Sequence, residues 1–122
     1  MQLKYYWCLS VFSPFDFLNL AKDLINDNEA KIRTAISRAY YSSFLIARDT
    51  FSLSEKTPKV HRKVVSILYS RNPIVANQLH LLRRKRNFAD YDTKVVLSRN
   101  DAENAIKLAE DIITGLRAGS EL

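Results

Sequence analysis

Turn-forming residues are almost missing from this chain: its 122 residues include two glycines and three prolines. A β-rich domain reverses direction often and draws on such residues at each reversal, whereas long helices joined by short loops need few of them. The prolines also fall where helices begin. Ser13-Pro14, Thr57-Pro58 and Asn72-Pro73 each place a cap-forming side chain before a ring whose fixed φ suits a first helical turn. The expected fold class is therefore all-α, an up-and-down bundle of four or five helices.

Five segments carry helical periodicity. In the first, "SPFDFLNLAKDLIND", Ser13 caps, Asp16 closes an approximate capping box, and Phe17, Leu20, Ala21, Leu24 and Ile25 recur on one side. The second, "EAKIRTAISRAYYSSFLIARDTFSL", aligns Ile32, Ala35, Ile36, Ala39, Tyr40, Ser43, Ala47 and Thr50 in one stripe. Small residues permit close approach, which makes this the central helix. The third, "TPKVHRKVVSILYS", is capped by Thr57 and turns Val60, Val64, Ile67 and Leu68 inward. Asn72-Pro73 ends it and opens the fourth, "PIVANQLHLLRRKRNFADYD". After the connector "TKVVL", the fifth starts with Ser98 and Asp101 and buries Ala105, Leu108, Ala109 and Ile112, with Gly115 or Gly119 marking its fraying end. Residues 13–122 form one domain, preceded by an amino-terminal arm, residues 1–12.

The arm's "YYWCLSVF" is too short to span a bilayer and has no small-residue cleavage site, which argues against membrane insertion and secretion. Cys8 is the sole cysteine, so no intrachain disulfide forms, and His61 and His80 lack the company that zinc spacing requires. The expectation is a cytoplasmic protein with no metal and no cofactor.

Charge is unevenly placed within the net +6. Lys56 to Arg86 holds nine Lys or Arg and no Asp or Glu, leaving ten cations against thirteen acids elsewhere, a net of −3. Such asymmetry points to a polyanionic partner, because counter-ion release rewards clustered cations and folding does not need them. It peaks in "LLRRKRNFADYD", residues 81–92, where Arg83, Arg84, Lys85 and Arg86 run together into Asn87 and an acidic-aromatic tail. The plainer account is a solvated helix face, on which Arg86 and Asp90, four apart, simply pair.

"SRAYYSSFLIARDTF" (37–51), "KVHRKVVSILYS" (59–70) and "LLRRKRNFADYD" (81–92) together resemble the three signature helices of the HEPN superfamily. The likeness is to its small single-domain branch, with Arg-Ala-Tyr-Tyr early, His in the third helix and Ala-Asp-Tyr late, and it covers roughly residues 13–117. The resemblance implies a homodimeric four- or five-helix bundle with a groove near the interface. It also implies a setting of RNA cleavage, nucleotide binding, toxin–antitoxin pairs and defence, with a minimal nucleotidyltransferase antitoxin as partner. In the catalytic pattern an Arg is followed, after four to six residues, by His. The RNA 2′-OH then attacks its neighbouring phosphate without metal, His moving protons and Arg stabilising the phosphorane.

Here Arg86-Asn87 matches the arginine end, but Tyr91 stands where the histidine is expected. A phenol ionises near pH 10, so using Tyr91 as a base at pH 7 costs about 4 kcal/mol unless neighbouring cations lower its pKa. His61, at the branch's third-helix histidine, and His80, one turn before Arg83 and Arg84, are the two substitutes. The candidate catalytic set is therefore Arg86, Tyr91 and His61. Arg83, Arg84, Lys85, Asn87, Arg38 and Tyr41 are the candidate nucleic-acid contacts, with Asp90 orienting an arginine or holding the Tyr91 hydroxyl. In "RAYYSSF", Tyr40 and Phe44 also read as plain core.

Two other functions stay open. One is a non-catalytic bundle that binds a nucleotide or a protein after losing the histidine; convergence of Arg86, Tyr91 and His61 from two subunits on one cleft favours catalysis, whereas Arg86 locked onto Asp90 with Tyr91 buried favours this bundle. The other is a DNA-binding helical domain, since the basic third and fourth helices are joined through "SRNP".

Overall fold

The computed structural model describes residues 12–26, 28–54 and 56–120, with 119 and 120 described by backbone alone. Five helices succeed one another: α1 Pro14–Leu24, α2 Glu29–Thr50, α3 Lys59–Arg71, α4 Pro73–Tyr91 and α5 Arg99–Ser120. There is no strand among the described residues. Of the amino-terminal arm, residues 1–11 lie outside the described residues; Phe12 packs edge-on against Phe17 with centroids 4.7 Å apart.

Local chemistry sets most helix ends. Ser13 Oγ accepts the Phe15 N–H at 3.2 Å, and the Asp16 carboxylate accepts the Ser13 N–H at 3.2 Å, closing the expected capping box. Asn72 serves two helices at once. Its N–H donates to the Leu68 carbonyl at 2.7 Å, ending α3, and its side chain accepts the Val75 N–H at 3.3 Å, opening α4. Asp101 accepts both the N–H and the hydroxyl of Ser98, at 2.7 and 3.1 Å.

The expected Thr57 cap does not form. Pro58 occupies the cap position of α3 in a helical conformation with no side-chain cap bond, and Thr57 contributes only its carbonyl, to Val60 N–H at 3.0 Å. Proline at that position continues the helical φ backwards and takes the cap away from the threonine. After α2, Ser52 adopts φ 57° and its N–H donates to the Asp49 carbonyl at 3.0 Å. A turn of this kind ordinarily uses glycine, and no glycine signals it here.

The core is organised around α2, which packs against each of the other four helices. Its Ala35, Ala39 and Ala47 are fully buried, as are Ala21 of α1 and Ala102, Ala105 and Ala109 of α5. The predicted stripe of α2 is buried except at Thr50, which is exposed at the last turn. In α1 the expected Ala21, Leu24 and Ile25 pack on the core, but Leu18 is buried and Leu20 is 42 % exposed, so the apolar side runs Leu18, Ala21, Leu24, Ile25.

Gly115 does not mark a fraying end, and the helix continues to Ser120. A Cβ at Gly115 would stand 2.5 Å from Val75 Cγ2, so the missing side chain is what lets α5 close on α4. No helix among the described residues is long and apolar enough to cross a membrane.

Candidate phosphate-binding cleft

Three helices converge on a cleft of about 470 Å3. Its lining includes Tyr40, Tyr41 and Arg48 from α2, His61 from α3, and Arg83, Arg86 and Tyr91 from α4, with Lys56 at the rim. Among the described residues no Asp or Glu lines it. Helical spacing explains the α4 contribution. Arg83 and Arg86 are three apart and share a face, while Tyr91, five residues beyond Arg86 at the end of α4, enters the lining from the adjoining face.

The buried end of the cleft is a tyrosine–histidine pair. The Tyr40 hydroxyl and His61 Nδ1 are 2.6 Å apart, and both rings pack on Phe44, at 5.8 and 5.4 Å between centroids. Burial pushes the Tyr40 phenol well above its ordinary range, against the smaller opposing pull of Arg83 and Arg86. Burial, then the cations Arg83 and Arg86, then His80, push His61 down to about 4. Both groups are therefore neutral at pH 7. The phenol has no other acceptor among the described residues, so the arrangement that satisfies it has Tyr40 donating to Nδ1 and the ring proton on Nε2. Tyr40 is thus a core residue at its ring and a site residue at its hydroxyl.

Arg86 sits in an aromatic corner, its guanidinium carbon 5.3, 5.5 and 5.9 Å from the centroids of Tyr40, Tyr41 and Tyr91. Its pairing with Asp90 exists but is long, 3.5 Å from Nη1 to Oδ2, and Ser37 Oγ shares that carboxylate at 3.3 Å. Asp90 therefore orients Arg86 and does not reach Arg83; no bond from it to the Tyr91 hydroxyl is formed. The Nε atoms of Arg83 and Arg86 are buried without a partner among the described residues. Arg86 is therefore balanced only through its long contact with Asp90, and Arg83 has no ion pair among the described residues.

The four-cation run does not form one basic patch. Successive helical residues point about 100° apart, and the run divides accordingly. Arg83 and Arg86 face the cleft, while Arg84 and Asn87 face a broad groove of about 870 Å3 with Phe88, Tyr91, Asp92, Thr93 and Lys94. Lys85 lines a third hollow with Ile36, Phe88, Val95, Leu97 and Asp101. Tyr91 borders both the cleft and the groove. Arg38 also lies apart from the cleft lining: its guanidinium stacks on Phe17 and Tyr41, at 4.7 and 4.9 Å, and props the Tyr41 ring. His80 is exposed on α4.

Sequence reasoning missed what fixes the end of α4. Arg33 reaches across from α2, its Nη1 donating to the carbonyls of Phe88, Ala89 and Asp92 at 3.3, 3.0 and 2.9 Å, and its Nη2 to that of Val95. Glu29 holds Arg33 at 2.9 Å and accepts the Leu97 N–H at 3.3 Å. The Leu97 amide, then Arg33, hold the Glu29 carboxyl below its usual range. Nothing in the spacing of Glu29 and Arg33 distinguishes this clamp from an ordinary surface pair, since its acceptors are backbone atoms more than fifty residues away. Arg48 and Lys56 were missed too, because each stands apart from the cation run. Among the described residues no three His, Cys, Asp or Glu side chains are placed to hold a metal ion.

Searches of curated proteins and of solved structures return no match. A family model described as the HEPN domain matches residues 15–118, nearly the whole helical bundle and every cleft residue named above. By that match, with which the five-helix architecture agrees, the chain belongs to the HEPN family.

Proposed function

We propose that this chain is an RNA-binding HEPN protein whose Arg83/Arg86 cleft takes a backbone phosphate. The observation that carries the reading is a pair of guanidiniums with buried, unpartnered Nε atoms in a cleft that no carboxylate lines among the described residues and that tyrosines wall. A phosphate supplies the countercharge that Arg83 lacks and that Asp90 gives Arg86 only at 3.5 Å, and Tyr41 and Tyr91 offer ring faces for bases. Duplex DNA recognition fits less well, because these residues face into a cleft instead of forming a helix surface that enters a groove. A homodimer acting with a nucleotidyltransferase partner in a toxin–antitoxin or defence module is the setting this proposal adopts from the family resemblance.

A second reading adds metal-independent cleavage. It is favoured by His61 sharing the cleft with Arg86 and Tyr91 inside one chain, a histidine supplied by α3 where the late-helix motif lacks one. With Nδ1 accepting from Tyr40, Nε2–H donates a hydrogen bond to a phosphate oxygen. In the other tautomer Nδ1–H donates to the Tyr40 oxygen, which keeps its own proton, and the free Nε2 takes the 2′-OH proton and returns it to the leaving oxygen. An anion on Arg83 and Arg86 also removes part of what depresses His61, which moves the ring toward working pH.

Fluorescence anisotropy with labelled single-stranded RNA tests the binding. The Arg83→Ala and Arg86→Ala variants each bind at least tenfold more weakly, with a salt dependence shallower by about 0.7 per lost phosphate contact. Equal affinity in wild type and both variants overturns the reading. Incubating RNA in EDTA and assaying for 2′,3′-cyclic phosphate ends tests cleavage. Ends formed by wild type and lost in His61→Ala support it, and intact RNA with wild type leaves a binding protein only.

A further inference from the structure

The division of the cation run gives α4 two ligand-facing sides, and Tyr91 stands on the ridge between them. Its side chain is 74 % exposed, although Arg86 lies 5.9 Å from the ring centroid on the cleft side. On the other side Arg84, Asn87 and Tyr91 follow one another at helical spacing along the groove, and Lys94 closes it from the connector. Arg84 and Lys94 form no ion pair among the described residues. Asp92, the one carboxylate among the described residues lining the groove, accepts the Lys94 N–H at 3.0 Å, so part of its charge is already engaged. Phe88 is 47 % exposed, an aromatic surface that core packing does not account for.

The groove is also held in shape. The carbonyls of Phe88, Ala89, Asp92 and Val95 are those taken by Arg33, so the stretch forming the groove's far wall is tied to the central helix. A solvated helix end has no need of a four-bond anchor beneath it, whereas a surface that must meet a ligand in one shape gains from it.

We infer that the Arg84–Lys94 groove is a second nucleotide subsite, and that an RNA strand crosses the Tyr91 ridge with one phosphate on Arg83 and Arg86 and a neighbouring one on Arg84 and Lys94. The inference rests on the proposed RNA binding and adds a footprint, a path and a chemical class for each station. Cations hold the phosphates, Phe88 and Tyr91 stack a base between the stations, and Asn87 offers a donor and an acceptor to a base edge. A strand bent over an exposed ring must have free base faces, which restricts the ligand to single strands.

Competition binding with AMP and with tetra-adenylate RNA tests it, using wild type, the double variant Arg84→Ala/Lys94→Ala, Tyr91→Ala and Arg86→Ala. Wild type binds the tetranucleotide at least tenfold tighter than AMP. In the double variant that ratio falls toward one, and Tyr91→Ala lowers tetranucleotide affinity about tenfold. An unchanged ratio in the double variant, with Arg86→Ala still losing both ligands, overturns the second subsite while leaving RNA binding standing. Wild type that binds neither ligand overturns RNA binding itself. If Tyr91→Ala instead alters the sedimentation of the RNA-free protein and leaves both affinities unchanged, the ridge is a protein contact and the inference fails.

Discussion

The two sides of this bundle obey opposite rules. Toward α5 the interior is dry and close: Ala102, Ala105, Ala109 and Ile112 are fully buried, and a glycine brings α5 within methyl contact of Val75 on α4. Toward α3, the same α2 and α4 part to leave a cleft with a neutral tyrosine–histidine pair and two arginines whose Nε atoms have no partner. One side maximises contact; the other leaves donors waiting and accepts about 1–3 kcal/mol for each unsatisfied buried group. Sites for ligands are where a protein departs from the rules that stabilise the rest of it, so the contrast locates function by its cost.

Four measurements sharpen or break the contrast. The largest effect is expected on the dry side: Ile112→Ala leaves a cavity and lowers unfolding free energy by about 2–5 kcal/mol in urea denaturation. Next comes Gly115→Ala, whose added methyl collides with a β-branched neighbour; a loss of about 1–3 kcal/mol outweighs alanine's better helix propensity. In the cleft the effect is smaller. Arg86, 12 % exposed at its side chain, becomes an uncharged side chain of similar length in Arg86→Met; shedding a poorly paired charge offsets the lost Asp90 and tyrosine contacts, so stability changes by about 1 kcal/mol or less while RNA affinity falls. A stability loss there as large as that of Ile112→Ala would erase the distinction between the two sides.

The smallest effect is electrostatic. With burial and the neighbouring cations holding His61 down to about 4, an NMR pH titration is expected to show its ring neutral well below pH 6.5, and Arg83→Ala to move the midpoint upward. The folded protein keeps His61 neutral where the unfolded chain protonates it, so this contribution to stability is complete above about pH 6.5 and is lost as pH falls toward 4. Thermal unfolding of wild type and His61→Gln across that window should differ in slope, and parallel curves would show that the ring is not held neutral.

Much of this architecture was legible in advance because it is locally encoded. Ser13 with Asp16, Asn72 with Pro73, and Ser98 with Asp101 act within four residues, and those helix starts are found where expected. The α2 stripe reads correctly because alanines and β-branched residues alternate with charge at one period. What escaped was non-local. Leu18 and Leu20 are equally apolar, and only the phase of packing decides between them. The hydroxyl of Tyr40 finds its partner twenty-one residues away, and Arg33 finds carbonyls on another helix. The meeting of Arg86, Tyr91 and His61 lies between these extremes: the residue types were visible, and the cleft that gathers them required the tertiary fold.

The fan of cations along α4 has an evolutionary corollary. Because each arginine's destination is set by rotation about the helix axis, one residue inserted between Leu79 and Arg83 would turn the whole run by about 100°. Every charge would survive in the sequence, yet each would address the wrong hollow. Substitutions can retune such a surface gradually, whereas an insertion or deletion would scramble it in a single step.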